Sequence, residues 1–125
     1  MRSNETSEII RRFNQAFLEH DPAIFEDLIA PDCVMETIQP APDGTRYEGY
    51  DVNLTFWQAM AADRVNRFEV EDTFVMGDRA NIRWRFHFGG GGSLRGVSLI
   101  RVRDGRIVEA LAYAKIPGQS APLPG

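Results

Sequence analysis

The run Leu99-Ile100-Arg101-Val102-Arg103-Asp104-Gly105-Arg106-Ile107-Val108-Glu109 decides how this chain folds. Asp-Gly tolerates positive φ at both central positions of a type I′ turn, so it closes a tight hairpin between strands expected at 94–103 and 106–115. Working back toward the N-terminus, the apolar period stays at two: Ile82, Trp84, Phe86 and Phe88 form one run, and Phe68, Val70, Phe74 and Met76 the run before it. Gly89-Gly90-Gly91-Gly92-Ser93 lies between two alternating runs, which makes it a flexible hairpin loop. No helix follows it, so it is no phosphate cradle. Four successive strands make an antiparallel meander.

Upstream the period changes to that of a helix. Asp51 stands where it can cap a helix presenting Leu54, Trp57, Met60 and Ala61 on one side. Before it come a turn-rich loop, Gln39-Pro40-Ala41-Pro42-Asp43-Gly44, and a short strand expected over 32–38. Asp21-Pro22 supplies an N-cap and a first-turn proline for a short second helix carrying Ile24, Phe25, Leu28 and Ile29 and ending near Pro31. From Thr6 to His20, the spacing of Ile9, Ile10, Phe13, Phe17 and Leu18 predicts a first amphipathic helix. Helices first and an antiparallel sheet after give an α+β fold, one domain over 1–115. The Pro- and Gly-containing tail 116–125 is expected to be loose.

The composition narrows the function classes. With 125 residues, 43% hydrophobic and 26% charged, the chain has material for one core. A net charge of −4 argues against a general nucleic-acid binder, which concentrates Lys and Arg. Cys33 is the single cysteine, and the two histidines, His20 and His87, lie far apart, so neither a disulfide nor a zinc cluster is encoded. No glycine pattern opens a helix for a nucleotide or flavin, and no cofactor is expected. The N-terminus is polar and no apolar run approaches the ~20 residues that span a bilayer, so the expectation is a cytoplasmic protein with no membrane partner.

The order helix, helix, short strand, Pro/Gly loop, helix, four-strand meander resembles the nuclear transport factor 2-like superfamily and its SnoaL-like domains. Ala30-Pro31-Asp32-Cys33-Val34, Gly44-Thr45-Arg46-Tyr47-Glu48-Gly49-Tyr50-Asp51 and the Asp104-Gly105 hairpin are similar to that family's recurring phrases. The resemblance implies a cone-shaped, curved antiparallel sheet wrapped around the N-terminal helices, a small-molecule pocket, and a homodimer. It leaves the reaction open, because the family holds steroid isomerases, epoxide hydrolases, dehydratases, polyketide cyclases and non-catalytic binding or dimerisation modules.

Matched residue by residue, the steroid-isomerase pattern is depleted. Its first-helix tyrosine falls on Phe13, its base near Thr37, and its second donor on Ser98. Neither hydroxyl is a useful base near neutral pH without a neighbour to take its proton. The acid that epoxide hydrolases and cyclases place before the residue matching Tyr113 is replaced by Ala112, and Arg83-Trp84-Arg85 puts an arginine where a hydrolase carboxylate belongs.

The remaining polar candidates are Glu36, Tyr47, Arg83, Arg85, His87, Glu109 and Tyr113. Glu36 is either a carboxylate at the pocket mouth or a solvated strand residue. If Ile82, Trp84 and Phe86 look inward, alternation puts Arg83, Arg85 and His87 outside. The catalytic candidates are therefore Glu36, Thr37 and Ser98. Phe13, Met35, Trp57, Met60, Trp84, Phe86 and Ala112 are the expected ligand-binding wall, with a hydrophobic small molecule as partner. Arg95, Val97, Leu99, Leu111 and Tyr113 form the expected homodimer face. Two functions stand side by side: a cofactor-free isomerase, cyclase or dehydratase, and a non-catalytic binding or dimerisation module.

Overall fold

The computed structural model describes residues 2–40 and 42–115; the expected tail 116–125 lies outside the described residues. The first helix, α1, spans Arg2–Leu18 and buries Ile9, Ile10, Phe13 and Ala16 along one stripe. Two residues beyond its end, His20 turns the chain with a positive φ of 54°, while its Nδ1 lies 2.9 Å from the Ala61 carbonyl. The second helical segment is a short 3₁₀ turn, Pro22–Asp27, with Asp21 at its N-cap but without a side-chain capping bond.

That turn stops earlier than the sequence predicts, because the chain extends at once into strand β1, Ile29–Glu36, which includes Pro31. A three-residue strand, β2 (Arg46–Glu48), pairs with β1 and has no counterpart in the sequence expectations. Helix α2 spans Tyr50–Ala62; Gly49, at φ 104°, occupies the N-cap, and Asp51 sits inside the first turn instead.

The meander comes next as β3 (Arg67–Met76), β4 (Arg79–His87), β5 (Ser93–Arg103) and β6 (Arg106–Lys115). Asp104 and Gly105 have φ of 52° and 76°, as a type I′ hairpin requires. The sheet order is β2-β1-β6-β5-β4-β3. The β1–β6 pair is parallel, so the six-stranded sheet is mixed, with an antiparallel meander as its larger part. α1 packs on β3 and β4, and α2 on β1, so the helices cover the concave face of the sheet.

One element of the meander departs from strict alternation. Between Val70 and Asp72 the β3–β4 register shifts, leaving Glu71 as the extra residue of a bulge. Phe68 and Val70 before it face inward, opposite Phe86 and Trp84. After it the phase inverts: Val75 pairs with buried Ala80, while Phe74 and Met76 are 55% and 67% exposed. Phe74 and Met76, which period two groups with Phe68 and Val70, therefore lie on the opposite face of the strand from them.

The core joins the helices to the concave face through Phe25, Leu28, Ile29, Trp57, Ile82, Ile100 and Ile107, all buried. Cys33 is fully buried among them, and burial pushes its thiol up to about 12, next to the charge of Asp32. Among the described residues no helix is long and apolar enough to cross a membrane.

Candidate small-molecule cavity

Between the helices and the concave sheet face lies a cavity of about 420 Å³, within the size range of small-molecule pockets. Its wall is aromatic because inward positions of four elements, α1, α2, β3 and β4, carry rings. Phe13 of α1 meets Trp57 of α2 edge to face at 5.1 Å, Phe17 meets Phe68 of β3 at 5.1 Å, and Phe68 meets Trp84 at 5.5 Å and Phe86 at 4.7 Å. Such pairs contribute about 0.5–1.5 kcal/mol each beyond area burial. The wall is therefore held in shape by its own contacts.

All the residues expected to form the site border this cavity: Phe13, Met35, Trp57, Met60, Trp84, Phe86 and Ala112, together with Glu36, Thr37 and Ser98. The three polar candidates differ in what they have left to offer. The Thr37 hydroxyl donates to the Gln39 carbonyl at 2.9 Å and accepts from the Thr45 amide at 3.1 Å, so its proton is committed to the loop. Thr45 donates to the same carbonyl at 2.9 Å. Gly44 (φ 74°) closes this loop so tightly that a Cβ there would stand 1.8 Å from the Thr37 carbonyl oxygen.

Glu36 is the only charged side chain on the cavity border among the described residues. Its carboxylate is paired with Arg46 (Nη1 to Oε2, 3.3 Å), directly opposite on β2. Alternation along β1 places Glu36 on the other side of the strand from buried Met35, level with Leu111 of β6. A base inside the cavity is not what this geometry provides.

Ser98 is different. Its Oγ accepts the Trp84 indole N–H at 3.0 Å, which satisfies a buried donor and leaves the serine's own proton without a protein acceptor among the described residues. The indole reaches Ser98 because it lies over Gly96. A Cβ at Gly96 would meet Trp84 Cη2 at 2.4 Å and the Tyr113 carbonyl oxygen at 2.5 Å. Gly96 is glycine for space, not for backbone freedom.

The outer, convex face carries the groups the cavity excludes. Arg83 faces Asp72 at 3.9 Å, Arg85 and Arg95 share Glu71 at 3.9 and 3.0 Å, and His87 Nε2 lies 2.8 Å from Glu69. Arg101 and Glu109 stand 4.0 Å apart on the same face. Tyr113 is 54% exposed there, beside Val97, while Leu99 pairs with Leu111.

Of the wider set of polar candidates, only Tyr47 joins Glu36 on the cavity border; its ring rests on Phe56 at 5.3 Å. It is presented there by Asn53, fully buried on α2, whose Nδ2 donates to the carbonyls of Gly49 (2.7 Å), Cys33 (3.0 Å) and Tyr47 (3.4 Å). The sequence reading missed Asn53 and also Asn14, which borders the cavity from the flank of α1 between Phe13 and Phe17. The available signal was, for Asn14, an amide one position off an aromatic stripe and, for Asn53, an amide on the same stripe as Trp57 and Ala61.

The model of the SnoaL-like domain family matches residues 10–110, most of the chain. The chain belongs to the SnoaL-like family. An NTF2-like protein of unknown function from Mesorhizobium loti is 53% identical to this SnoaL-like chain, over 92% of it and 94% of the other, with a TM-score of 0.90. A candidate ketosteroid isomerase from Kribbella flavida shares 22% identity over 100% and 87% of the two chains (TM-score 0.81), and an LEH-like epoxide hydrolase from M. tuberculosis 18% over 92% and 86% (TM-score 0.73). At those identities the last two share the fold of the SnoaL-like chain. No curated protein matches it in sequence.

Proposed function

We propose that this protein takes up a flat, uncharged, largely apolar small molecule in the cavity and holds it by shape. The observation that carries this reading is the aromatic wall around about 420 Å³ whose only charged neighbour among the described residues, Glu36, is already paired with Arg46. An ionised ligand would lose its hydration there without gaining a counter-charge, and a neutral ring system would not. Trp57 and Trp84 both border the space, so their emission reports occupancy. Titration with 2-acetylnaphthalene is expected to quench that emission saturably, and sodium 2-naphthoate to bind at least tenfold more weakly. Equal binding of the carboxylate, or no saturable quenching by either probe, would overturn the reading.

A cofactor-free isomerase, cyclase or dehydratase is the second reading, supported by one specific feature: the uncommitted hydroxyl proton of Ser98 on the wall. In that case binding and orientation supply the rate, with Ser98 donating to a substrate oxygen and no carboxylate moving protons. The two readings separate on whether a bound compound is converted, followed by mass spectrometry, and whether Ser98→Ala stops the conversion.

The convex face is assigned to a second copy of the chain. Val97, Leu99, Leu111 and Tyr113 form adjacent rows there, extended by Phe74, with charges of both signs around them. Light scattering is expected to give twice the chain mass, and Leu99→Glu to give a folded monomer.

A further inference from the structure

Asn14 is the one amide side chain that α1 brings to the cavity, and it has no side-chain hydrogen-bond partner among the described residues. Its neighbours on the helix, Phe13 and Phe17, face the aromatic wall, so the amide stands at the edge of an apolar surface. Of the polar groups elsewhere on the border, Thr37 and Thr45 are engaged with the Gln39 carbonyl, Glu36 with Arg46, and the Trp84 N–H with Ser98, while the other carboxamide on the border, that of Gln39, belongs to an exposed loop residue open to water. A half-buried carboxamide with nothing to pair with offers an acceptor oxygen and an N–H donor side by side. Partners that complement both at once are neutral groups with an acceptor and a donor on neighbouring atoms: a carboxamide, a lactam, or the enol of a β-diketone.

We propose that Asn14 is the specificity-determining anchor of the cavity, pairing through two hydrogen bonds with such a neutral donor–acceptor group on a planar apolar ligand. The assignment rests on the small-molecule reading above and adds to it the polar half of the ligand. The aromatic wall fixes the plane of the ring system, and Asn14 fixes its rotation within that plane. Ser98 and Tyr47 each hold a further hydroxyl on the border, but a hydroxyl forms a single donor contact in a given orientation and does not distinguish an amide from a ketone as a carboxamide does. Discrimination of that kind comes from leaving one partner's polar atoms unpaired.

The test compares three naphthalenes of one skeleton by calorimetry: 2-ethylnaphthalene, with no polar group; 2-acetylnaphthalene, with an acceptor alone; and 2-naphthamide, with both. The native chain is expected to bind 2-naphthamide about tenfold more tightly than 2-acetylnaphthalene. In Asn14→Leu, which keeps the side-chain volume, the order is expected to invert, because the amide must then leave water unpaired while the hydrocarbon loses nothing. Asn14→Ala, which leaves the wall unobstructed, is expected to behave likewise. A preference for 2-naphthamide that survives both substitutions, or equal binding of all three probes to the native chain, would overturn the role of Asn14 while leaving the cavity reading intact. Absence of binding by 2-ethylnaphthalene and 2-acetylnaphthalene to every form would remove the cavity reading itself, and with it this assignment.

Discussion

Phe68 and Phe74 lie on one strand, six residues apart, and meet opposite environments. Phe68 packs against Phe17, Trp84 and Phe86 and helps to wall the cavity. Phe74 is more than half exposed on the convex face. Six is an even spacing, so regular alternation would put both on the same side; the extra residue Glu71 inverts the phase between them. The same ring thus serves the inside of the molecule before the bulge and its outside after it. Position relative to the bulge, not hydrophobicity, decides which face an aromatic residue furnishes.

The difference can be broken at its ends. Phe68→Ala is expected to lower stability by about 3 kcal/mol, the range for aromatic truncation in a core, and Phe74→Ala by no more than about 0.5 kcal/mol in the monomeric Leu99→Glu background, both read from urea midpoints. Similar losses at the two sites would contradict the inverted phase. Deleting Glu71 sharpens the point: if it is the extra residue, its removal regularises the strand and leaves Phe74 outside, with a loss smaller than that of Phe68→Ala. If alternation were unbroken, the deletion would turn every later residue of the strand over and unfold the chain.

Smaller effects are expected along the neighbouring strands. Gly96→Ala places a methyl group against the Trp84 indole and the Tyr113 carbonyl, and overpacking of that kind costs about 2 kcal/mol. It should also move tryptophan emission. Ser98→Ala leaves the Trp84 N–H unpaired and is expected to cost about 1 kcal/mol.

The smallest effect is a pH dependence confined to the exterior. His87, as the hydrogen-bond partner of Glu69, holds that carboxyl below its ordinary value of 4.5, and the backbone N–H of Val65, followed by the Asn66 side chain, does the same for Asp63 from 3.8. A carboxyl lowered on folding stabilises the native state fully above its unfolded value and ceases to do so as pH falls through the folded one. The contribution of these two carboxyls should therefore be constant above about pH 5 and fall away below about pH 4. Glu69→Gln should shallow that decline without changing ligand binding at pH 7, as urea midpoints and probe titrations taken across that range would show.

Much of the fold was legible because local signals agreed. The Asp104-Gly105 turn, the alternation of Ile82, Trp84 and Phe86, and the stripe of Ile9, Ile10, Phe13 and Phe17 each report a backbone geometry through side chains close by in sequence. What escaped depends on distant partners. The strand Arg46–Glu48 exists because β1 offers it an edge, and the parallel β1–β6 pairing joins residues from opposite ends of the chain. The bulge at Glu71 is invisible to a pattern of period two that fails to include it. The cavity wall followed from inward alternation and so was readable, whereas the commitment of Thr37 to Gln39 and of Glu36 to Arg46 is a matter of hydrogen bonds that no spacing encodes. Asn14 was hidden for a related reason: on a helix flank a polar residue reads as solvated until the space beside it is known to be a cavity.

The central claim, that the aromatic-walled space holds a neutral planar molecule, is tested most directly by soaking crystals of the protein in 6-bromo-2-naphthol and mapping the anomalous signal of bromine. The account expects one dominant peak between Phe13, Trp57 and Phe86, in the interior. An interior without bromine, with peaks only on the convex face around Phe74 and Tyr113, would contradict it.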